Sequence, residues 1–326
     1  MRLGLARSEC VASSCTEVGP PEPGSKPPSD QPRESMAPLQ FPELIGIGTQ
    51  RSGSTWMWTN LIGHPDLFVP PYKEINYLSL RGQVPHEKTL QVRRQKLAEV
   101  LAAHSRGVIG DPWVAEWFAR FARSERNDDA WYASLYQGAP QGSIGVDFSP
   151  AYCTMDDAQV RRVKTLIPNA RVIFVMRDPI DRAWSQLCLL NSLGRSPGIA
   201  SAQEFQRWCQ SSSSARYHAY PAILARWRAV FGPDRVFVAH YEELKSGPLA
   251  LLERLCGWLG SDFNPDWFVD SVSSTYNKRA KTPISTEFAR AAAPVMLPHL
   301  APLAAQEGGP PVQWLERCIG LLRASP

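Results

Sequence analysis

GTQRSGSTW, residues 48–56, is the most informative segment of this chain. Its spacing matches the phosphate-binding template G-x-x-x-x-G-K-[ST], except that Ser54 stands where the template has lysine and the basic residue, Arg51, lies inside the loop. An apolar run at residues 43–48 predicts a buried strand before the loop, and helical spacing at residues 55–62 predicts a helix after it. The missing lysine favours a donor with a single phosphate near the loop over γ-phosphate chemistry.

A strand, a glycine-containing loop and a helix in this order predict an anion site. In this arrangement backbone N–H groups and the helix dipole converge on the ligand. Arg51 would add a planar, bidentate partner for a phosphate or sulfonate oxygen. The alternative is an ordinary strand-to-helix turn with a solvated arginine.

The composition limits the classes of protein to consider. The chain has 326 residues, of which 44% are hydrophobic and 20% charged, and this suits one large α/β domain or two small ones. A net charge of +4 is too weak to predict a nucleic-acid partner. Seven cysteines without a C-x-x-C pair predict neither a zinc site nor a disulfide framework, and their odd number fits a reducing compartment. No apolar run reaches transmembrane length, so we expect a cytoplasmic protein with no membrane partner.

The chain divides into a polar tail and a folded region. Residues 1–40 are rich in proline, serine and glycine and poor in aromatic residues, which predicts a disordered tail, and Met36 is an alternative start of translation. Residues 41–326 form the predicted domain. Strands are expected at residues 43–48, 143–148, 170–176 and 235–240, and helices at residues 55–62, 156–167, 179–191, 216–231 and 249–259. This βαβ pattern predicts a single P-loop-like α/β domain whose central parallel sheet carries helices on both faces.

VMRDPIDRAWSQ, residues 175–186, is the second segment that suggests ligand binding. Arg177 directly follows a predicted strand, at the edge where open α/β sheets bind ligands. Ser185 lies in the next predicted helix. A guanidinium and a hydroxyl placed in this way can hold one phosphate from two sides. The alternative is that Arg177 forms an ion pair with Asp178 or Asp181.

Two further segments carry charged residues that could act on a ligand. KEINYL, residues 73–78, places Glu74 in an apolar stretch, where a carboxylate could take a proton from an acceptor hydroxyl or amine. The alternative is a solvated pair of Lys73 and Glu74. STYNKRAKTP, residues 274–283, is a basic loop that could close over an anionic ligand, and its alternative is a solvated loop.

These four segments, in this order and at these spacings, resemble the sulfotransferase family, and within it the heparan sulfate sulfotransferase branch and its bacterial relatives. GVDFSPAY, residues 145–152, resembles the strand-end segment of that branch. ARWRAVFGPDRVFVAHYEEL, residues 225–244, resembles the family's helix, strand and Tyr-Glu-Asp-Leu ending. The resemblance covers about residues 41–285. It implies transfer of a sulfuryl group from 3′-phosphoadenosine 5′-phosphosulfate (PAPS) to a hydroxyl or amine, such as that of a carbohydrate.

The resemblance also implies roles for individual residues. The 5′-phosphosulfate would be bound by Gln50, Arg51, Ser52, Gly53, Ser54, Thr55 and Trp56. Arg177 and Ser185 would hold the 3′-phosphate of the donor. Glu74 would be the general base and Arg51 the second catalytic residue, and Asp147 is the other candidate for the base. The loop that closes over the nucleotide would use Tyr276, Lys278 and Arg279.

The resemblance leaves the acceptor open between a small molecule and a glycan. Phe148 stands where the heparan sulfate branch often has lysine, which removes a positive charge and disfavours a polyanionic glycan. No N-terminal membrane anchor is seen, which favours a soluble bacterial-type enzyme. A sulfuryl group carries less charge than a γ-phosphoryl group, so no metal ion is expected. Two other functions stay open: a P-loop nucleotide kinase-like enzyme, which would need a lysine at position 54, and a non-catalytic nucleotide-binding module.

Overall fold

Five parallel strands form one sheet at the centre of the computed structural model, which describes residues 40–123, 126–268, 272 and 282–324. The strands are β1 (Leu44–Gly48), β2 (Leu67–Phe68), β3 (Ile144–Phe148), β4 (Arg171–Met176) and β5 (Val236–His240). Their order across the sheet is β2-β3-β1-β4-β5, and every neighbouring pair is parallel. In this register Gly46 of β1 lies opposite Phe148 on one side and Ile173 on the other. The loop after β1 therefore lies between the carboxyl ends of β3 and β4.

Helices connect the strands and cover the sheet. Within the described residues they are α1 (Ser54–Leu61), α2 (Tyr77–Leu80), α3 (Glu87–Ser105), α4 (Pro112–Ala122), α5 (Asp129–Ser134), α6 (Asp157–Leu166), α7 (Pro179–Ser192), α8 (Ala202–Gln210), α9 (Ser212–Ala215), α10 (Tyr220–Phe231), α11 (Glu243–Ser246), α12 (Pro248–Leu259), α13 (Thr286–Glu307) and α14 (Pro310–Arg323). Short 3-10 helices occur at Pro150–Thr154, Pro233–Arg235 and Pro265–Trp267.

Alternate residues of the central strands enter two separate hydrophobic clusters, one on each face of the sheet. In β4, Val172, Phe174 and Met176 join the cluster that contains residues of α7, α10 and α13. Ile173 and Val175 join the cluster that contains residues of α1 and α12. A parallel strand with apolar residues on both sides needs cover on both faces. The predicted α/β domain, with a parallel sheet between layers of helices, is thus confirmed.

The helix predicted at residues 216–231 is wrong at its start. The structure begins α10 at Tyr220, after a turn that separates it from α9. Pro221 occupies the first turn of α10. In a continuous helix its ring would clash with the carbonyl of Tyr217 and remove a backbone hydrogen bond, so the helix starts beside the proline instead.

The tail predicted at residues 1–40 lies outside the described residues, apart from Gln40. Its disorder and the domain boundary at residue 41 therefore stay predictions. The structure describes the chain from Gln40, and β1 begins soon after, at Leu44, which pairs with Val146 of β3 and Arg171 of β4.

Candidate functional site

The loop after β1 is held in shape by its own polar atoms. The N–H of Thr49 donates to the carbonyl of Val175 at 2.8 Å, and the hydroxyls of Thr49 and Ser52 are 2.7 Å apart. Both of these side chains are fully buried. Gly48 has a φ of 126°, and a Cβ there would lie 2.5 Å from the carbonyl oxygen of Pro150. Only glycine fits this approach, so the fold itself sets the entry into the loop.

The helix that follows the loop begins without a side-chain cap. Gly53 is its N-cap residue with a φ of 96°, and among the described residues no side chain accepts from the first turn. The first N–H groups of a helix have no partner within the helix, so those of residues 54–56 can meet an anion together with the helix dipole. Trp56 can contribute only through its backbone, because its ring is buried and its Nε1 donates to the carbonyl of Val272 at 3.2 Å.

Arg51 joins the loop to two other elements. Its backbone has a φ of 69°, a left-handed conformation that is uncommon for a residue other than glycine. Its Nε donates to the Oγ of Ser185 in α7 at 3.0 Å, and its carbonyl accepts from Nη1 of Arg177 at 3.2 Å. The structure therefore brings together three of the residues predicted to bind the donor, from the loop, from the end of β4 and from α7.

Arg177 is not the partner of the neighbouring carboxylates. Asp178 and Asp181 both accept from Arg317 of α14, at 2.5 and 3.0 Å. Burial raises the pKa of the Asp178 carboxyl, and the positive charge of Arg317 opposes this rise. The guanidinium of Arg177 instead lies 4.5 Å from the ring centroid of Tyr241, and among the described residues it forms no ion pair. It is thus placed beside the loop, and no acid within the described residues compensates its charge.

Two tyrosines, one before α10 and one at its start, form hydrogen bonds with residues of the site. The Nε2 of Gln50 donates to the hydroxyl of Tyr217 at 3.4 Å, and the hydroxyl of Tyr220 donates to the carbonyl of Arg177 at 2.8 Å. Neither tyrosine was predicted from the sequence to belong to the site. No pattern in the sequence marks them, because both contacts are made by side-chain hydroxyls to residues that are distant in the chain.

Glu74 lies at the same edge of the sheet, next to the end of β3. Its N–H donates to the carbonyl of Phe148 at 2.9 Å, and its φ of 64° is again left-handed. Its carboxylate is 3.1 Å from Nζ of Lys73 and is 47% exposed. The ion pair given as the alternative is therefore present, and the carboxylate is accessible to solvent.

Asp147, the other candidate for the base, is buried beneath this segment. One of its oxygens accepts from the hydroxyls of Tyr132 and Tyr152 at 2.8 and 2.7 Å, and the other accepts from Oγ of Ser149 at 2.8 Å. Only 1% of the residue is exposed. Burial raises the pKa of the Asp147 carboxyl, and the hydrogen bonds from the three hydroxyls act against that rise.

Tyr276, Lys278 and Arg279, the residues predicted to close over the nucleotide, lie outside the described residues. The described residue that follows them nearest in the chain is Thr282, whose carbonyl accepts from Nε1 of Trp184 at 2.7 Å. Trp184 precedes Ser185 in α7, so Thr282 is bonded to the helix that carries one of the predicted phosphate ligands.

The described residues contain neither a cluster of metal ligands nor a helix that could span a membrane. No group of three or more histidine, cysteine, aspartate or glutamate residues is close enough there to hold a metal ion. None of the helices in these segments combines the length and the hydropathy needed to cross a bilayer. The cysteines that the structure describes, Cys153, Cys188, Cys209, Cys256 and Cys318, are free thiols. Cytoplasmic location and independence of metal remain predictions.

Comparison with characterised proteins gives similarities to two mammalian enzymes. The chain is 24% identical over 272 residues to mouse heparan sulfate glucosamine 3-O-sulfotransferase 3B1, a match that covers 79% of this chain and 65% of that protein. It is 28% identical over 146 residues to human heparan sulfate glucosamine 3-O-sulfotransferase 6, covering 43% and 42% of the two chains. The chain thus spans less than two thirds of the length of these relatives.

A solved structure and a family model extend this likeness. The crystal structure of a sulfotransferase from Alicyclobacillus acidocaldarius superposes with a TM-score of 0.53 at 21% identity, over 82% of this chain and 96% of that one, which shows a shared fold. The model of the sulfotransferase family matches residues 42–265, more than half of the chain, and this range includes the loop after β1, Glu74, Arg177 and Ser185. The chain therefore belongs to the sulfotransferase family.

Proposed function

We propose that this protein moves a sulfuryl group from PAPS to a hydroxyl or amine of an acceptor. The observation that carries the proposal is the hydrogen-bonded set of Arg51, Ser185 and Arg177, which joins the phosphate-binding loop to the end of β4 and to α7. Two guanidinium groups and a hydroxyl at this edge suit a ligand with two separate anionic groups. PAPS carries such groups at its 5′ and 3′ positions.

The 5′-phosphosulfate would lie at the start of α1. The first-turn N–H groups of residues 54–56 are uncapped by any described side chain, and Arg51 lies within the same loop. Ser52 is buried and its hydroxyl faces Thr49, so it would serve through its backbone. A helix N-terminus with an adjacent guanidinium is a sufficient site for one phosphate.

The 3′-phosphate would lie between Arg177 and Ser185. Stacking on Tyr241 holds the guanidinium of Arg177 at the end of β4. The hydroxyl of Ser185 already accepts from Arg51, and its own proton can be donated to a phosphate oxygen. This pair would separate PAPS from nucleotides without a 3′-phosphate.

These residues would also promote the transfer step. The sulfuryl group passes in line from the phosphate oxygen of the donor to the acceptor, so negative charge grows on that phosphate oxygen as its bond to sulfur breaks. Arg51 and the N–H groups at the start of α1 would stabilise this charge. Groups placed in advance around a developing charge commonly contribute about 10²–10³ in rate for each donor.

Glu74 would take the proton that the acceptor loses. Its carboxylate is exposed at the carboxyl edge of β3, the strand that pairs with β1, so it lies on the same side of the sheet as the donor loop. General-base catalysis by a carboxylate contributes about 10²–10⁴ in rate. The proposed acceptor is a hydroxyl or amine of a small molecule or a glycan.

Two observations suggest the kind of acceptor: the substrate named for the mammalian relatives, and Phe148 in place of the lysine that is common in the heparan sulfate branch. Heparan sulfate glucosamine is the substrate named for the two mammalian relatives, which makes a carbohydrate hydroxyl a candidate here. Phe148 is 1% exposed and packs against Gly46, so its position offers no positive charge to a polyanionic chain. A carbohydrate of low charge is therefore the first acceptor to test.

Nucleotide binding tests the donor. Calorimetry should show that 3′-phosphoadenosine 5′-phosphate (PAP) binds at least about 10-fold more tightly than AMP, because a charge-assisted hydrogen bond contributes about 1.5–3 kcal/mol. Addition of EDTA should leave both affinities unchanged. Equal affinities for PAP and AMP would contradict the assignment of Arg177 and Ser185.

Transfer tests the reaction and separates it from its rivals. The protein should label a component of a fractionated extract of its source cells when it is given PAPS with labelled sulfur. Binding of PAP without transfer to any fraction would favour the non-catalytic module. Transfer of the γ-phosphoryl group of ATP would favour the kinase-like enzyme, although Ser54 and not a lysine occupies the decisive position of the loop.

A further inference from the structure

The segment that carries Glu74 has a backbone that needs support from outside. Glu74 and Asn76 have φ values of 64° and 58°, and each is in the left-handed region, where residues other than glycine are uncommon. Such conformations persist only where the surrounding structure enforces them. The question is which residues hold this segment, because its shape decides where the Glu74 carboxylate lies.

Three alternate N–H groups of the segment bond to the chain that follows β3. The N–H of Glu74 donates to the carbonyl of Phe148 at 2.9 Å. The N–H of Asn76 donates to Oγ of Ser149 at 3.1 Å, and that of Leu78 donates to the hydroxyl of Tyr152 at 3.2 Å. Two of the three acceptors are therefore side-chain hydroxyls, which can rotate unless their own protons are held.

Both of these protons are held by Asp147. Ser149 donates to one oxygen of its carboxylate at 2.8 Å and Tyr152 donates to the other at 2.7 Å. A hydroxyl that donates to a carboxylate turns a lone pair away from it, and here those lone pairs meet the N–H groups of Asn76 and Leu78. The carboxylate thus sets the direction of both hydroxyls, and the hydroxyls set the backbone.

We propose that Asp147 is a positioning residue, which holds residues 74–78 through Ser149 and Tyr152 so that Glu74 is presented to the acceptor. The proposal rests on the role proposed above for Glu74 as the base. Asp147 does not take the proton itself, because its residue is 1% exposed and its two oxygens already accept from three hydroxyls. A carboxylate is required because Ser149 and Tyr152 donate to different oxygens, and the side chain of asparagine has only one acceptor oxygen.

Tyr152→Phe tests the proposal with a matched control. It removes the hydroxyl that links Asp147 to Leu78 and keeps the buried ring. Tyr136→Phe removes another buried hydroxyl near Asp147, which donates to the carbonyl of Val146 at 3.3 Å and is not one of the three hydroxyls that donate to Asp147. Asp147→Asn is the direct variant, and Tyr152→Phe keeps the proposal testable if Asp147→Asn fails to fold.

The first measurement is kinetic. Tyr152→Phe and Asp147→Asn should lower kcat by about 10- to 100-fold, since a small displacement of a catalytic group costs up to about 10² in rate, while PAP affinity stays within about twofold. Tyr136→Phe should keep kcat within about twofold. In the Glu74→Gln background, Tyr152→Phe should cause no further loss, because both changes act on one group. Multiplied losses in the double variant would overturn the proposal.

The second measurement is hydrogen exchange of the Leu78 amide, which does not depend on activity. Tyr152→Phe should raise its exchange rate by about 10-fold or more and Tyr136→Phe should leave it unchanged. Unchanged exchange in Tyr152→Phe would show that the hydroxyl does not hold the segment. If exchange rises but Glu74→Gln keeps full turnover, the segment is held as described and the role of Glu74 as base is what fails.

Discussion

Arg51 and Ser185, which lie 134 residues apart in the chain, are joined by a hydrogen bond of 3.0 Å from Nε to Oγ. The bond ties the loop after β1 to α7, so the groups assigned to opposite ends of the donor are in contact with each other. Residues that share a hydrogen bond do not act independently on a ligand. Donor binding is therefore expected to be a property of the pair.

Ser185→Ala should weaken PAP binding by about 10- to 100-fold, because it removes a hydroxyl that would donate to a phosphate and also the acceptor that orients Arg51. The loss in the double variant with Arg51→Ala should be smaller than the sum of the two single losses. Calorimetry on the wild type and the three variants measures this. Ser192→Ala, on the same helix, should have no effect, and additive losses would show that the two residues act separately.

Arg177→Met should abolish the preference for PAP over AMP while leaving AMP affinity nearly unchanged. Methionine keeps the apolar contact with Tyr241 and removes the charge that would meet the 3′-phosphate. Arg171→Met is the control, since Arg171 begins the same strand at its opposite end and donates to the carbonyl of Leu259 at 2.5 Å. A retained preference in Arg177→Met would move the 3′-phosphate to another part of the protein.

Glu74→Gln should reduce turnover by about 10²–10⁴ with nucleotide affinity preserved, because glutamine keeps the size of the side chain but accepts no proton at neutral pH. Lys73→Met breaks the same ion pair and should leave turnover near that of the wild type. The two variants thus separate a base from a partner in a surface pair. Similar activities of both variants would mean that Glu74 serves only Lys73.

His218 should make the protein less stable as the pH falls from about 6.5. Burial lowers its pKa to about 3, with repulsion from Arg182 and His299 in the same direction, and neither ring nitrogen has a hydrogen-bond partner among the described residues. The unfolded chain binds a proton at His218 below about pH 6.5 and the folded protein does not. Lowering the pH from 7 to 5 should therefore reduce the contribution of His218 to stability by about 2 kcal/mol.

Chemical unfolding of the wild type and of His218→Phe at both pH values measures this difference. Phenylalanine keeps a ring in the core and cannot be protonated, so the variant should lose about 2 kcal/mol less stability than the wild type over this range. An equal loss in both proteins would show that other groups cause the pH dependence.

The sheet and its loop could be predicted because their signals are local. The apolar run of β4 and the template spacing before α1 each lie within a dozen residues, and the structure places both as expected. β2 was not predicted, because Leu67–Phe68 is too short to show a periodic pattern. It is a strand only because it pairs with β3, which is distant in the sequence.

The long helix α13 was missed for a different reason. It contains Pro294, Pro298 and Pro302, and proline inside a helix normally predicts its end. All three are exposed, so they lie on the side of the helix that faces water. Their spacing of four means that the N–H missing at Pro298 leaves the carbonyl of Pro294 unpaired, and water can reach that carbonyl.

The hydrogen bonds that hold the segment of Glu74 could not be predicted from the sequence either. Ser149 and Tyr152 were within a segment that was identified, but nothing in their spacing shows that they bond to Asn76 and Leu78. A hydroxyl network of this kind depends on the packing of β3 against residues that are distant in sequence. The residue types at the site could be predicted, and the bonds that orient them could not.

The ion pair between Arg317 and Asp178 shows that the folded domain depends on residues beyond the range that matches the family model. The family match ends at residue 265. Arg317 of α14, which lies after that point, forms the only ion pair of the buried Asp178 carboxylate within the described residues. Trp314 of the same helix packs in the hydrophobic core. A chimaera that exchanges residues 42–265 between relatives would place a foreign helix against the start of α7. The exchangeable module of this protein therefore runs at least to Arg323, and grafts made at the shorter boundary should misassemble at the start of α7.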